Sequence, residues 1–514
     1  VALPLLTALV GCVVYAVWLP PTADLAAQRL RGWVFEAAPF SPWNNRWYGG
    51  HHTPGYSLTV PPLVALLGTT ITGIAAVLAA AVLGTTLLQR LAERYRLAGS
   101  SRWASVLLVA GVLASLFGGR TAFLVGVAFG LAALLAALAE RPWVTVVLAL
   151  LSALSSPVAG VFVAIVGCAL VLSRGVARPT AFALAATPLV SVLVLAVLFP
   201  EGGSFPYPLG GVVNTLLATA AVVVVGRHHV TVRWIGAGYA AFCLLAALAE
   251  SPVGGNAARF AALAAPAGVV LLTRVPRGRN AAALALVVAV LVGVQWSPVS
   301  LAVTGERRPT EARFYQPLVD VIAARPGTLR VEVVPVASHD EADVVARHVS
   351  LARGWNRQLD RRYHAVFYGH RLDAAAYFDW LQENGVELVA IADVPLDEAG
   401  DLEADLLADP PDYLQPVLDA GDWRVFEVVP RPMLGDAGAV VTSIGVDTFT
   451  VDVAEPGAHL VKVRFSAWHS VIDGDACVRE GRDGWTELDV AAPGTVTVET
   501  ALSLRAFVDR DGDC

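Results

Sequence analysis

The chain has 514 residues, of which 56% are hydrophobic and 15% charged, with mean hydropathy +0.61 and a formal charge of −7. Such a composition excludes an ordinary soluble domain, and the acidic balance shows no footprint for nucleic acid. It fits a polytopic membrane protein that carries a polar appendage.

In chain order, apolar runs predict spans near 3–18, 62–88, 103–117, 121–138, 143–154, 158–172, 180–199, 211–225, 234–248, 260–272 and 281–295. That is about eleven transmembrane helices. The first is read as a retained span, because no basic stretch or small-residue cleavage site flanks it. The turns 90–102, 174–178, 227–233 and 274–279 are rich in arginine. The positive-inside rule makes these turns cytoplasmic, so the loop 19–62 and everything after 296 are expected outside. Cys12, Cys168 and Cys243 fall in spans and act as small apolar side chains. Cys477 and Cys514 fall in the exported part, where a single disulfide pairing is expected.

After residue 296 the apolar runs shorten and charges become frequent. Residues 301–436 alternate helical and strand patterns, including a strand at 329–336, a helix at 341–352 and a strand at 423–429, as in an exported α/β domain. Residues 437–514 show only short alternating runs between Gly, Pro and Asp, the pattern of a β-sandwich.

The first outer loop, 19–62, is longer than a connection needs and carries Trp33, Trp43 and Trp47. Asp24 follows the first span closely enough for its carboxylate to lie near the membrane surface, where it could take a proton from an attacking hydroxyl. The same residue also suits the N-cap of a helix over 25–35. Glu36 is a second carboxylate, and His51 and His52 are candidate metal ligands or proton relays. Two arginines oppose the topological bias. Arg120 and Arg259 each begin a span on the outer side, where a guanidinium can either meet a lipid-linked phosphate or snorkel to headgroups. The predicted spans hold no charge in their interiors, which suits chemistry at one rim better than coupled transport through the middle.

This layout resembles the GT-C superfamily of membrane glycosyltransferases. More narrowly, Asp24-x-x-x-Gln28, Trp43-Asn44, Trp47-Tyr48-Gly49-Gly50-His51-His52-x-Pro54-Gly55-Tyr56, Pro252-x-Gly254-Gly255-Asn256-x-x-Arg259 and Arg353-Gly354-Trp355-x-x-Gln358-Leu359-Asp360 resemble a group of actinobacterial membrane proteins. That group is described as related to 6-pyruvoyl-tetrahydropterin synthase. The resemblance implies a polyprenyl-phosphate sugar donor, an envelope glycan or lipid acceptor, inverting transfer outside the cytoplasmic membrane, and often a divalent metal. It implies Asp24 as the catalytic base, with Glu36 beside it. Gln28, Arg46, His51, His52, Arg120, Asn256 and Arg259 are then the candidate substrate-binding residues. The chain departs from the superfamily's adjacent carboxylate pair, because Ala23 and Leu25 flank Asp24. The basic, aromatic run 353–363 reads either as a sugar- or glycan-facing segment or as a loop packed on the membrane domain, and Trp468, His469 and Asp473 are a further sugar-facing group. Two other readings remain open: a lipid-sugar transporter or flippase, and a non-catalytic envelope assembly factor.

Overall fold

The computed structural model describes residues 2–274, 279–296 and 299–503, with backbone alone at 279, 280, 283 and 295. Two compact units form. The first comprises Val1–Gln28 and Gly55–Thr304; the second comprises Arg29–Pro54 and Gly305–Cys514. Cys514 lies outside the described residues, and so does the bridge expected from it to Cys477.

The first unit is helical. Helix α1 (Ala2–Trp18) is followed by α2 (Leu25–Ala37), whose first turn belongs to this unit and whose remainder belongs to the second. Next come α3 (Val60–Arg94), α4 (Ser101–Phe117), α5 (Thr121–Leu138), α6 (Pro142–Ser155), α7 (Pro157–Ser173) and α8 (Arg178–Leu198). The unit closes with α9 (Leu209–Val225), α10 (Val230–Leu248), α11 (Arg259–Leu272), α12 (Arg279–Trp296) and the short α13 (Ser300–Thr304). Proline opens α3, α6, α7 and α8, where its missing N–H costs nothing. Helix α3 is interrupted at Gly68.

Five segments are long and apolar enough to cross a membrane: Val60–Arg94, Thr121–Leu138, Arg178–Leu198, Val230–Leu248 and Gly254–Leu272. Six shorter apolar helices accompany them. The chain is therefore a multi-pass membrane protein. Helix α5 is 72% buried and α8 only 28%, which makes α5 central and α8 peripheral. Small residues permit the central packing. A Cβ at Gly126 would come within 2.8 Å of Ala159, and one at Gly130 within 2.8 Å of Val163, so α5 and α7 approach almost backbone to backbone. On α8, Leu193, Val194 and Val197 remain exposed, as lipid-facing side chains do.

The second unit is built on sheets. The loop segment contributes the two-residue strands β1 (Trp43–Asn44) and β2 (His51–His52). A five-stranded mixed sheet follows, ordered β4-β3-β5-β7-β6. Its members are β3 (Arg330–Val333), β4 (Ser350–Leu351), β5 (Val386–Ala392), β6 (Leu414–Ala420) and β7 (Trp423–Val428). Strand β3 pairs parallel with both neighbours, and the β5–β7 and β7–β6 pairs are antiparallel. The helices of this region are α14 (Gln316–Ala323), α15 (Glu341–Val344), α16 (Arg357–Tyr363), α17 (Ala374–Asn384) and α18 (Asp401–Leu407).

Two antiparallel sheets complete the unit, one ordered β10-β13-β12 and the other β11-β14-β9-β8. Their strands are β8 (Ala439–Ile444), β9 (Thr448–Val453), β10 (Gly457–Arg464), β11 (His469–Asp473), β12 (Ala476–Glu480), β13 (Trp485–Val490) and β14 (Gly494–Thr500). Val451, Phe449, Val461, Val478, Leu488 and Val498 from both sheets share one core, which makes them a sandwich.

The single helix expected over 341–352 is instead α15, a 3-10 turn (Val345–Arg347) and then β4. The reason lies in its side chains. Glu341 and Asp343 are buried and bound by His339 and Arg29, respectively, which fixes the chain in short pieces that no amphipathic helix could satisfy.

Candidate functional site

In the first unit the sequence places three charged residues at three helix starts. Asp24 directly precedes α2, Arg120 directly precedes α5 and Arg259 opens α11. Folding brings them together. One Asp24 carboxylate oxygen (Oδ2) lies 3.4 Å from Arg120 Nε and 3.8 Å from Arg259 Nη2. Their side chains are 19%, 22% and 18% exposed, so the cluster is neither open nor sealed. Charged side chains from three helix starts therefore meet at one spot. Two guanidiniums against one carboxylate leave a positive charge in excess. Anions are the ligands that such a place favours.

Local packing fixes each arm. The turn between α4 and α5 passes close to the start of α2. A Cβ at Gly119 would lie 2.6 Å from Thr22 Oγ1 and 2.7 Å from Leu25 N, and φ there is +74°. Only glycine fits. Arg259 lies over the Phe123 ring at 5.4 Å. Tyr239 Oη donates to Ala257 O at 2.6 Å and accepts from Ala261 N at 3.0 Å, which clamps the 3-10 turn Gly254–Ala258 to the start of α11. Tyr239 stands midway along α10, nine residues before its end, so the first turn of α11 is recessed by roughly 14 Å of helical rise. Arg259 is the first residue of α11 and the sixth of the apolar segment Gly254–Leu272.

Other residues of the first unit extend the cluster. Gln28 Nε2 donates to Tyr56 Oη at 2.9 Å, and Tyr56 lies within Coulombic range of Arg259. Asn256 is half-buried on the 3-10 turn, three residues before Arg259. Among the described residues of this cluster, Thr22 Oγ1 is buried without a hydrogen bond, which leaves a polar atom beside Gly119 available to a ligand. Tyr56 was legible only as part of a motif. Thr22 and Tyr239 carried no signal in the sequence.

The remaining candidates belong to the second unit. Glu36 is exposed, three turns along α2 from its start, and the helix does not present it beside Asp24. Arg46 packs over the Trp33 ring at 5.5 Å. His51 is 2% exposed and stacks on Trp47 at 5.5 Å, while His52 Nε2 lies 3.0 Å from Ser466 Oγ. Their motif is stitched into the unit's core. Trp47 Nε1 donates to Ala342 O at 2.9 Å, Tyr48 Oη donates to Asn356 O at 3.1 Å, and Gly50, at φ +126°, leaves no room for a Cβ against Trp43.

The run 353–363 is buried at Arg353, Asn356, Leu359 and Asp360 and half-buried at most of its other positions. Arg353 is 2% exposed at its side chain and bonds Asp360 at 2.6 Å and Glu403 at 3.3 Å, with Glu332 at 3.7 Å. Tyr377 Oη donates to Glu403 and Tyr368 Oη to Asp360, both at 2.5 Å. Burial would raise Asp360, but Arg353 outweighs it and holds this carboxyl below its ordinary range. Glu403 is pushed up to about 7, chiefly by burial, and Glu332 goes well above its usual value for the same reason. His339 faces Asp397 at 3.2 Å and Glu341 at 3.3 Å; against the effect of burial, these acids raise it to about 10. His469, another sugar-facing candidate, is 3% exposed in the sandwich and burial pushes it down to about 4.

A divalent cation does not fit the Asp24 cluster, because its one carboxylate is already flanked by two cations. Among the described residues, no group of three or more His, Cys, Asp or Glu side chains is arranged to hold a metal.

No protein-family model matches the chain, and no curated protein matches it. Among solved structures it is similar to the archaeal oligosaccharyltransferase AglB from Archaeoglobus fulgidus in complex with an inhibitory peptide and a dolichol-phosphate. The TM-score is 0.42 at 11% identity, over 76% of this chain and 69% of that chain. Likeness at that distance carries no argument about chemistry, which rests on the side chains themselves.

Proposed function

We propose that the chain is a GT-C-like cell-envelope glycosyltransferase. It moves a sugar from a polyprenyl-phosphate-linked donor to an envelope glycan or lipid, at the membrane face opposite the basic turns. The observation that carries this reading is the meeting of Asp24, Arg120 and Arg259 at three helix N-termini, with positive charge in excess. In this reading the eleven apolar helices cross the membrane and residues 305–514 are exported.

The donor phosphate accepts charge-assisted bonds from Arg120 and Arg259, which draws both guanidiniums away from Asp24. The freed carboxylate takes the proton of the acceptor hydroxyl. The acceptor oxygen then attacks the anomeric carbon from the side opposite the phosphate, so configuration inverts and the polyprenyl phosphate leaves with the bonding pair. Gln28, Tyr56 and Asn256 line the approach as sugar contacts.

A specific observation favours a second reading, that of a lipid-sugar carrier. Arg259 is the sixth residue of an apolar segment long enough to span a membrane, and charged residues within such segments often mark transport paths. One experiment separates the two. Membranes from a deletion strain carrying each variant are supplied with radiolabelled sugar on a polyprenyl-phosphate donor. Asp24→Asn keeps the shape and removes the proton acceptor, so transfer should fall ~10²–10⁴-fold while donor binding persists. Native rates in that variant end the catalytic assignment, and movement of labelled donor without transfer by the native protein establishes the carrier.

A further inference from the structure

A cavity of about 520 Å³ runs through the half of the helical unit that ends at the basic turns. That volume falls in the ~300–1,000 Å³ range of ligand pockets. Its wall follows α11 from Phe260 to Leu272 and is almost wholly apolar. Asp24, Arg120 and Arg259 are not in its lining. Phe260, packed on Phe162 at 5.2 Å and Tyr239 at 5.0 Å, closes the end nearest Arg259. The cavity is therefore separate from the charged cluster.

Its other end is polar. Tyr95, His228 and His229 line it there. Hydrogen bonds tie the turns around this end into one rim. Tyr95 Oη donates to Gly175 O at 3.5 Å, Thr231 Oγ1 to Ser173 Oγ at 2.9 Å, and Gly99 N to Leu271 O at 3.1 Å. The same turns carry exposed Arg96, Arg174, Arg227, Arg233 and Arg274, against exposed Glu93 and Glu140. An apolar slot beneath a rim with excess cations matches a molecule with a long hydrocarbon chain and an anionic head.

We propose that this cavity is a binding site for an anionic phospholipid. An acyl chain lies along α11, and the phosphate head meets His228, His229 and the arginines of the α9–α10 turn. The lipid comes from the leaflet that the basic turns face, so it is not the sugar donor.

Native mass spectrometry of the delipidated full chain, titrated with dioleoyl-phosphatidylglycerol or dioleoyl-phosphatidylcholine, tests this. One phosphatidylglycerol should be retained in preference to phosphatidylcholine. Arg227→Gln with Arg233→Gln, both on the exposed rim, should cut that preference roughly 25-fold, at about 1 kcal/mol per cation. Gly268 lines the cavity with only ordinary contacts around a Cβ, so Gly268→Leu should fill the slot and abolish retention of either lipid. Equal retention of the two lipids overturns the proposal. So does unchanged binding in Gly268→Leu, or one-for-one displacement of phosphatidylglycerol by a polyprenyl phosphate. Sugar transfer by the rim variants should stay at the native rate, so failure of this site is distinguishable from failure of the catalytic one.

Discussion

Arginine meets carboxylate in both units, with opposite outcomes. Around Arg353 the acids outnumber the cation, the side chains are 0–4% exposed, and contacts reach 2.6 Å. Tyrosine hydroxyls take up further lone pairs. Around Asp24 the cations outnumber the acid, exposure is near one-fifth, and the contacts are 3.4 and 3.8 Å. The first arrangement is sealed from water and holds sheet to helix. The second is loose and sets two cations against one acid, which in the proposed function leaves it able to take an anion. A motif rich in arginine and aromatics is thus no guide to function until burial and charge balance are known.

The contrast can be broken in order of expected effect. After the Asp24→Asn loss described above, the largest effect should come from Arg353→Met. It leaves Asp360 and Glu403 buried without their cation, and should destabilise the second unit by ~3–5 kcal/mol. Hydrogen exchange at the β5 amides of the full chain reads it, and native protection there would show that the network contributes little. Arg259→Ala should weaken binding of a polyprenyl phosphate by ~1.5–3 kcal/mol without lowering the thermal midpoint, because a loose pair adds little stability. A fall in midpoint with unchanged binding would reverse the roles assigned to the two clusters.

His339 gives a pH dependence with a definite sign. It is raised in the folded state from its ordinary 6.5 to about 10, against burial and through Asp397 and Glu341. The folded state therefore holds a proton that the unfolded chain releases above about pH 6.5. That contribution is complete below this value and is lost as pH rises towards 10. Melting of the second unit should weaken over this window in the native chain and much less in His339→Gln. Equal slopes would remove His339 as the cause. The smallest effect, ~1 kcal/mol for one hydroxyl, is expected for Tyr239→Phe. It should loosen the start of α11 and shift donor affinity more than the thermal midpoint, and a response in the midpoint alone would make Tyr239 purely structural.

Apolar periodicity and proline positions made the helical unit legible, because bilayer length and backbone satisfaction leave few alternatives to a helix. Asp24, Arg120 and Arg259 were legible because each stands at a helix start on the face without basic turns. Glu36 and His51 share that loop, yet the chain passes between units inside α2, a break that no local pattern marks. The helix expected over 341–352 failed for a related reason: Asp343 is held by Arg29, and propensity cannot see a partner 314 residues away in the chain. By itself, the sequence determined a membrane protein with a polar, sheet-rich C-terminal region, since hydropathy and strand alternation are local. Only the tertiary structure decided which charges stay loose and which are sealed. That depends on how much water and how many opposite charges surround a group, quantities set by packing between distant segments.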